Sequence, residues 1–205
     1  MRARFKHALK RGTSHSARDS RAVRMTRLKP MPSPSPFEPE TFAFADDGSI
    51  PNNPKLPFLV YRGGVDLKGS PDPEELVENT FAGNDWGEMW RNGIYRYVHY
   101  HSMIHEAMGL ARGRARVQFG GKNGTEVDLH AGDVCVLPAG TGHQCLWASP
   151  DLVVIGAYPP SGKYDLCRGS KAEHARAVAA IPDVPTPATD PVFGRHGPLT
   201  RLWRP

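Results

Sequence analysis

Through the middle of the chain, hydrophobic and polar positions alternate in short runs that glycines interrupt. In residues 114–119, Ala115, Val117 and Phe119 alternate with Arg114, Arg116 and Gln118, so a strand here has an apolar face and an arginine face. Gly120-Gly121-Lys122-Asn123-Gly124 reads as a hairpin loop, and residues 125–129 return from it. Residues 94–101, 106–111, 133–137 and 151–158 read as further strands, with turns at Arg112-Gly113 and Gly140-Thr141-Gly142. The pattern predicts a β-barrel core over residues 93–158, and strands of this number and length fold most readily as a jelly roll.

The flanks read differently. Asp46-Asp47-Gly48 and Pro51-Asn52-Asn53-Pro54 are turn chemistry, and residues 56–61 predict an edge strand. Residues 71–81 predict a helix on the outside of the sheet: Pro73 suits its first turn, Glu74, Glu75 and Glu78 lie near its positive end, and Leu76, Val77 and Phe81 form its apolar face. After residue 158 strand periodicity is lost, residues 170–180 have helical character, and the proline-rich stretch 182–191 runs extended. Residues 198–203 are too apolar for a loose terminus, so they should pack on the barrel or on a neighbouring subunit. No internal repeat is present, so the reading is one all-β barrel with short flanking helices.

At 205 residues the chain is long enough for one well-buried domain and short for two. Its net charge of +5 is misleading, because residues 1–30 hold ten Lys or Arg against Asp19, while the rest has 16 basic and 20 acidic residues. We therefore expect a disordered basic tail and Pro-rich linker over residues 1–36 and a single domain over residues 37–205. The tail reads best as a disordered extension, or as sequence read through from a start upstream of Met25 or Met31, ahead of an organellar transit segment or a phosphate-gripping arm. It has no apolar run suited to a secretory signal, and the sequence shows no membrane span. A nucleic-acid regulator would need a helix-turn-helix pair, which the pattern does not supply. Cys135, Cys145 and Cys167 are odd in number and lack metal spacing, which points to a reducing compartment and hence the cytoplasm.

Two short blocks in the strand region carry candidate chemistry. The first reads Gly93-x5-His99-x-His101-x4-Glu106-x6-Gly113, the second Gly132-x5-Pro138-x-Gly140-x2-His143. Side chains at i and i+2 of a strand leave the same face, so His99 and His101 point at one locus while Tyr100 points away. A single strand histidine is most often a hydrogen-bonded core residue. Three at this spacing, with a carboxylate that would be costly to bury without a cation, read as a metal site.

These blocks resemble the two motifs of the cupin superfamily. The first matches throughout; the second lacks the family's terminal asparagine, in whose place stands Trp147. That asparagine is not a ligand in the family, so the departure concerns the pocket wall. A closer likeness, from residue 42 to the C-terminus, is to the bacterial cupins of the YjlB-like type. It is carried by Asp46-Asp47-Gly48-x-Ile50-Pro51-Asn52-Asn53-Pro54, Trp90-Arg91-Asn92-Gly93-Ile94-Tyr95, His99-Tyr100-His101-Ser102-x2-His105-Glu106, Pro138-Ala139-Gly140-Thr141-Gly142-His143, and Asp190-Pro191-Val192-Phe193-Gly194 with Gly197-Pro198-Leu199. The resemblance implies a cupin jelly-roll (double-stranded β-helix) barrel and a bound metal, and no particular reaction.

On that footing His99, His101, Glu106 and His143 are the expected ligands of one divalent transition metal, Fe, Mn, Ni, Co or Zn. Four protein ligands leave two octahedral positions open, which suits oxygenation, isomerisation or carbonyl polarisation. The expected function is a metal-binding cupin acting on a small oxygen-rich metabolite by oxygenation or isomerisation; the alternative is a non-catalytic binding or sensing protein. His105 should face away from the metal if its strand is regular, whereas an irregular turn after His101 would let it replace His99 or Glu106. Ser102, Thr141 and Gln144 are placed to support the imidazoles. Tyr95, Tyr97, Cys145 and Trp147 are candidate pocket residues, with Trp86 and Trp90 beside Trp147 at a mouth; the plainer reading of each is core packing. Open sheet edges and the apolar terminus predict a homodimer.

Overall fold

The structure, a computed structural model, describes residues 38–204; the tail and linker expected over residues 1–36 lie outside the described residues. In chain order the elements are β1 Glu40–Phe42, β2 Phe58–Tyr61, α1 Pro73–Ala82, β3 Gly87–Asn92, β4 Glu106–Arg112, β5 Arg114–Phe119, β6 Thr125–His130, β7 Val134–Leu137, β8 His143–Ala148, β9 Val153–Tyr158, α2 Lys171–Ala180 and α3 Pro198–Leu202. The strands form two antiparallel sheets, in the orders β1-β2-β7-β4-β9-β3 and β6-β5-β8. His99 bridges His143 through reciprocal backbone bonds of 3.2 and 2.9 Å, which adds a short extended segment beside β8. The chain therefore passes from β3 in the large sheet to this segment in the small one, back to β4, across to β5 and β6, and so on to β9. That interleaving of Greek keys is a jelly roll.

The two sheets have different surroundings, and the residue patterns follow. The central strands of the large sheet, β2, β7, β4 and β9, are buried on both faces. Its inner face gives Phe58, Val60, Met108, Leu110 and Cys135 to the core between the sheets, while its outer face gives Leu59, Ala107, Val136 and Ile155 to a second core under α1 and α3. A strand buried on both faces needs no polar positions, so β7 reads Val-Cys-Val-Leu without a break. The small sheet is buried on one side only. Ala115, Val117 and Phe119 of β5 face the core while Arg114 and Arg116 face solvent, as the alternation predicts.

α1 begins at Asp72, whose side chain accepts from the Glu75 amide at 3.0 Å, and seats Val77 and Phe81 over Gly109 of β4. α2 begins with a reciprocal capping box between Ser170 and Glu173. It places Ala177 with Tyr100, Ala139 and Cys167 in a third apolar cluster behind the histidine segment. Among the described residues no helix is long and apolar enough to cross a membrane.

Two expectations need correction. Residues 56–61 do not form an edge: β2 lies between β1 and β7 with all four residues buried, because the short β1 covers it. Residues 94–101 are not a continuous strand, since the chain bends at residues 96–97 and pairs only at His99 and Tyr100. The apolar terminus packs on its own barrel, with Leu199 and Trp203 buried and the Trp203 indole N–H donating to the Pro57 carbonyl at 2.8 Å.

Candidate metal centre

Backbone pairing brings the histidines together. The His99 and His143 backbones exchange two hydrogen bonds, and the Gly140 amide donates to the His101 carbonyl at 2.7 Å. Glu106 opens β4 opposite Leu137, on the inward face it shares with Met108 and Leu110. One ring nitrogen from each of His99, His101 and His143 lies within 4.8 Å of the other two. Glu106 Oε2 stands 3.5 Å from His101 Nε2 and 3.6 Å from His143 Nε2, and all four residues are buried.

The outer nitrogen of each ring is already committed. His99 Nδ1 meets the Tyr97 carbonyl at 3.3 Å, His143 Nδ1 meets the Thr141 carbonyl at 3.2 Å, and His101 Nδ1 meets the Asp165 carbonyl. A carbonyl only accepts, so each Nδ1 carries a proton, and in the neutral ring the Nε2 lone pair faces the centre. Asp165 also fixes the turn between His101 and Glu106. Its carboxylate accepts from the Ser102 amide at 2.8 Å, the Ser102 hydroxyl at 2.6 Å and the Met103 amide at 3.2 Å.

Glu106 divides its work between two oxygens. Oε1 accepts from the Tyr158 hydroxyl at 3.1 Å, and that hydroxyl accepts from the Trp90 indole N–H at 3.1 Å. Oε2 is buried with no hydrogen-bond partner. Burial opposes charge on Glu106, yet the neighbouring imidazoles, His101 foremost, hold its carboxyl down at about 2. Burial likewise depresses His99, and depresses His143 to about 3, whereas the Glu106 carboxylate raises His101 against its own burial. The protein thus clusters three imidazole nitrogens in a buried site, with a carboxylate oxygen within 3.6 Å of two of them. First-row divalent ions bind such donors at ~2.0–2.2 Å, which puts neighbouring donors roughly 3–3.5 Å apart. The separations around Oε2 are close to that, and the orphaned oxygen has the ligand role left to it, so these residues fit a metal.

A cavity of about 270 Å³ opens beside the cluster, with Trp90, Tyr95, Tyr158 and Tyr164 among its walls. Tyr95 is thus among the cavity's walls. Tyr97 stacks on Tyr95 with centroids 4.8 Å apart and lies under the Arg168 guanidinium, so it backs the wall and does not line it. Cys145 is in the barrel core, its thiol bonded to the Trp147 carbonyl and raised by burial, and is not a cavity residue. Trp147 is on the opposite face of β8, 47% exposed and under Arg114. The reason is a bulge: Arg116 pairs with Trp147 but Val117 pairs with Cys145, so Leu146 is the extra residue that turns Trp147 outward. Trp86 is equally remote, buried in the outer core with its indole N–H on the Thr189 carbonyl.

His105 does not replace a ligand. It points to the outer face of the large sheet, where its Nδ1 accepts from the Ala139 amide at 2.9 Å and its ring lies 4.8 Å from that of Trp203. Of the expected supports, Thr141 acts through its backbone carbonyl and Ser102 through Asp165, while Gln144 bonds Gln118. Sequence reasoning missed Asp165, Tyr158 and Tyr164. Asp165 reaches His101 through a backbone carbonyl, which leaves no trace in residue type. Tyr158 does leave one, since it ends the last apolar strand at the level of Glu106.

No family model matches the chain. Among solved structures it is similar to acireductone dioxygenase from Bacillus anthracis, at 18% identity and a TM-score of 0.33 over 47% of this chain and 69% of that one. It is also similar to a variant of Bacillus subtilis oxalate decarboxylase, at 16% identity and a TM-score of 0.33 over 56% of this chain and 28% of that one. Overlaps of that depth say nothing of this chain's reaction. The similarity to the uncharacterized protein YjlB of Bacillus subtilis (strain 168) is of another order, 39% identity over 166 residues that make up 81% of this chain and 97% of that protein. The chain belongs to the YjlB family.

Proposed function

We propose that the protein is a metal-dependent cupin in which His99, His101, His143 and Glu106 hold one divalent first-row ion, and the adjoining cavity binds a small oxygen-rich metabolite for oxygenation or isomerisation. The observation that carries this is Glu106 Oε2, buried, unpartnered and directed at imidazoles whose other nitrogens are spent on carbonyls. When bound, such an ion would act as a Lewis acid toward an oxygen donor in the cavity. The protein's own groups then have defined tasks. Tyr158 restrains Oε1, the Trp90 and Tyr164 rings limit water, and the three backbone carbonyls hold the imidazole tautomers.

Metal analysis of protein purified without added metal, beside His101→Ala, tests the reading. About one equivalent in the wild type and little in the variant is expected; equal content in both would refute the ligand set. Oxygen uptake and product formation with a metabolite panel then address turnover. A non-catalytic binding or sensing role has one observation in its favour. Apart from the four proposed ligands, the titratable groups lining the cavity are tyrosines, none of them an ordinary general base at neutral pH.

A further inference from the structure

Apart from the proposed ligands, the cavity beside the metal site is lined mostly by aromatic and apolar side chains, with the Asn92 amide among them. The aromatic rings of Trp90, Tyr95, Tyr158 and Tyr164 surround it with Ile94 and Met108, and among the described residues no lysine or arginine lines it. The Trp90 wall is built into the sheet. A Cβ on Gly156 would fall 1.9 Å from Trp90 Cε2, so the indole occupies the space that any side chain at that position of β9 would fill. Its N–H is anchored on Tyr158, whose ring meets Tyr164 edge-on with centroids 5.6 Å apart. At about 270 Å³ the space is below the ~300–1,000 Å³ of sites for drug-sized ligands, which limits an occupant to about one ring.

Charge narrows the class further. Three neutral imidazoles and the Glu106 carboxylate leave a divalent ion with one positive charge, and the walls add none. A monoanion cancels it. A compact dianion such as oxalate would leave surplus negative charge beside the metal, with no arginine among the described lining residues to pair it, which is unfavourable.

We propose that the site takes a flat, single-ring molecule bearing two adjacent oxygen donors, one of them ionised, as in a catechol, with its ring against Trp90 and Tyr164 and its oxygens toward the metal. This rests on the metal-site reading above. Aromatic walls recognise a ring by stacking and edge contacts, and paired oxygens match the positions that four protein ligands leave open. The test is calorimetric titration of anaerobic, zinc-loaded protein with catechol and with oxalate, zinc being quantified first on the same sample. Catechol should bind at least tenfold more tightly than oxalate. With zinc quantified again in each variant, Trp90→Ala and Tyr164→Ala should each weaken catechol roughly three- to tenfold more than they weaken oxalate. Tyr164 is 49% exposed, so its removal keeps the test open if the Trp90 variant folds poorly. Oxalate binding as tightly as catechol, catechol binding undiminished in both variants, or equal catechol affinity without zinc would overturn the inference. A wild-type protein that takes up no zinc would instead remove the metal reading on which it stands, and the metal analysis shows this before any ligand is added.

Discussion

Glu106 opens β4 and His105 immediately precedes it, and their side chains point to opposite sides of the large sheet, which decides their roles. Glu106 enters the barrel; its Oε1 is fixed by Tyr158 and its Oε2 is left for a ligand role. Removing that support should loosen the carboxylate without deleting a donor. Tyr158→Phe is expected to weaken metal affinity about 10–100-fold, read by competition with a chelator; unchanged affinity would mean that the hydroxyl has no part in placing Glu106. His105 is buried against Trp203, and burial pushes its pKa down to about 4. The unfolded chain takes up this proton near pH 6.5 and the folded one only near 4, so its contribution to stability is full above 6.5 and is lost as pH falls toward 4. In metal-free protein, urea denaturation should show stability falling over that interval, with His105→Gln removing about one proton's share of the slope. An identical slope in the variant would show that His105 is not responsible. His99, His101 and His143 were legible in the sequence because strand periodicity and the spacing of two blocks point at side chains. Asp165 was not legible, because a carbonyl looks the same in every residue.

At the scale of elements, the patterns that carried the reading are those where burial is one-sided. β5 was recovered from its arginine alternation, and α1 from its acidic first turn and apolar stripe. Where local geometry departs from the regular repeat, the reading failed. The bulge in β8 adds one residue and reverses the facing of Trp147, an inversion to which period-two reasoning is blind. β3, which supplies Trp90, has a weak pattern and a residue, Glu88, at φ 48°, so nothing in its composition announced a strand. The seat of α1 offers a direct check of packing. A Cβ on Gly109 would stand 2.7 Å from Val77 Cγ1 and 3.0 Å from Phe81 Cζ, so Gly109→Ala forces the helix away from β4. A loss of about 1–3 kcal/mol in denaturant stability is expected; a neutral effect would show that α1 is free to shift.

For the molecule as a whole, the jelly roll was readable from strand number and spacing, while the use made of its ends was not. β1 covers β2, and α3 with Trp203 closes the outer core, so the two segments first expected at an interface are used within the chain.

The hydrogen bond from the His101 ring to the Asp165 carbonyl has a consequence for the chain well beyond the site. It joins a proposed ligand to a loop more than sixty residues downstream, where the Lys163 amide donates to Met103 and the Cys167 amide to Tyr100. If openings of that loop release the imidazole, occupancy and loop opening are thermodynamically linked, and metal at a hundredfold excess over its Kd should suppress opening by at most about 2.7 kcal/mol, or roughly 100-fold, the limit at which the open form binds no metal. Hydrogen exchange at Lys163 and Cys167 should slow accordingly on metal addition, and exchange indifferent to metal would show the loop to be uncoupled. The loop would then serve as an intrinsic gauge of filling, readable in protein whose substrate has not been identified.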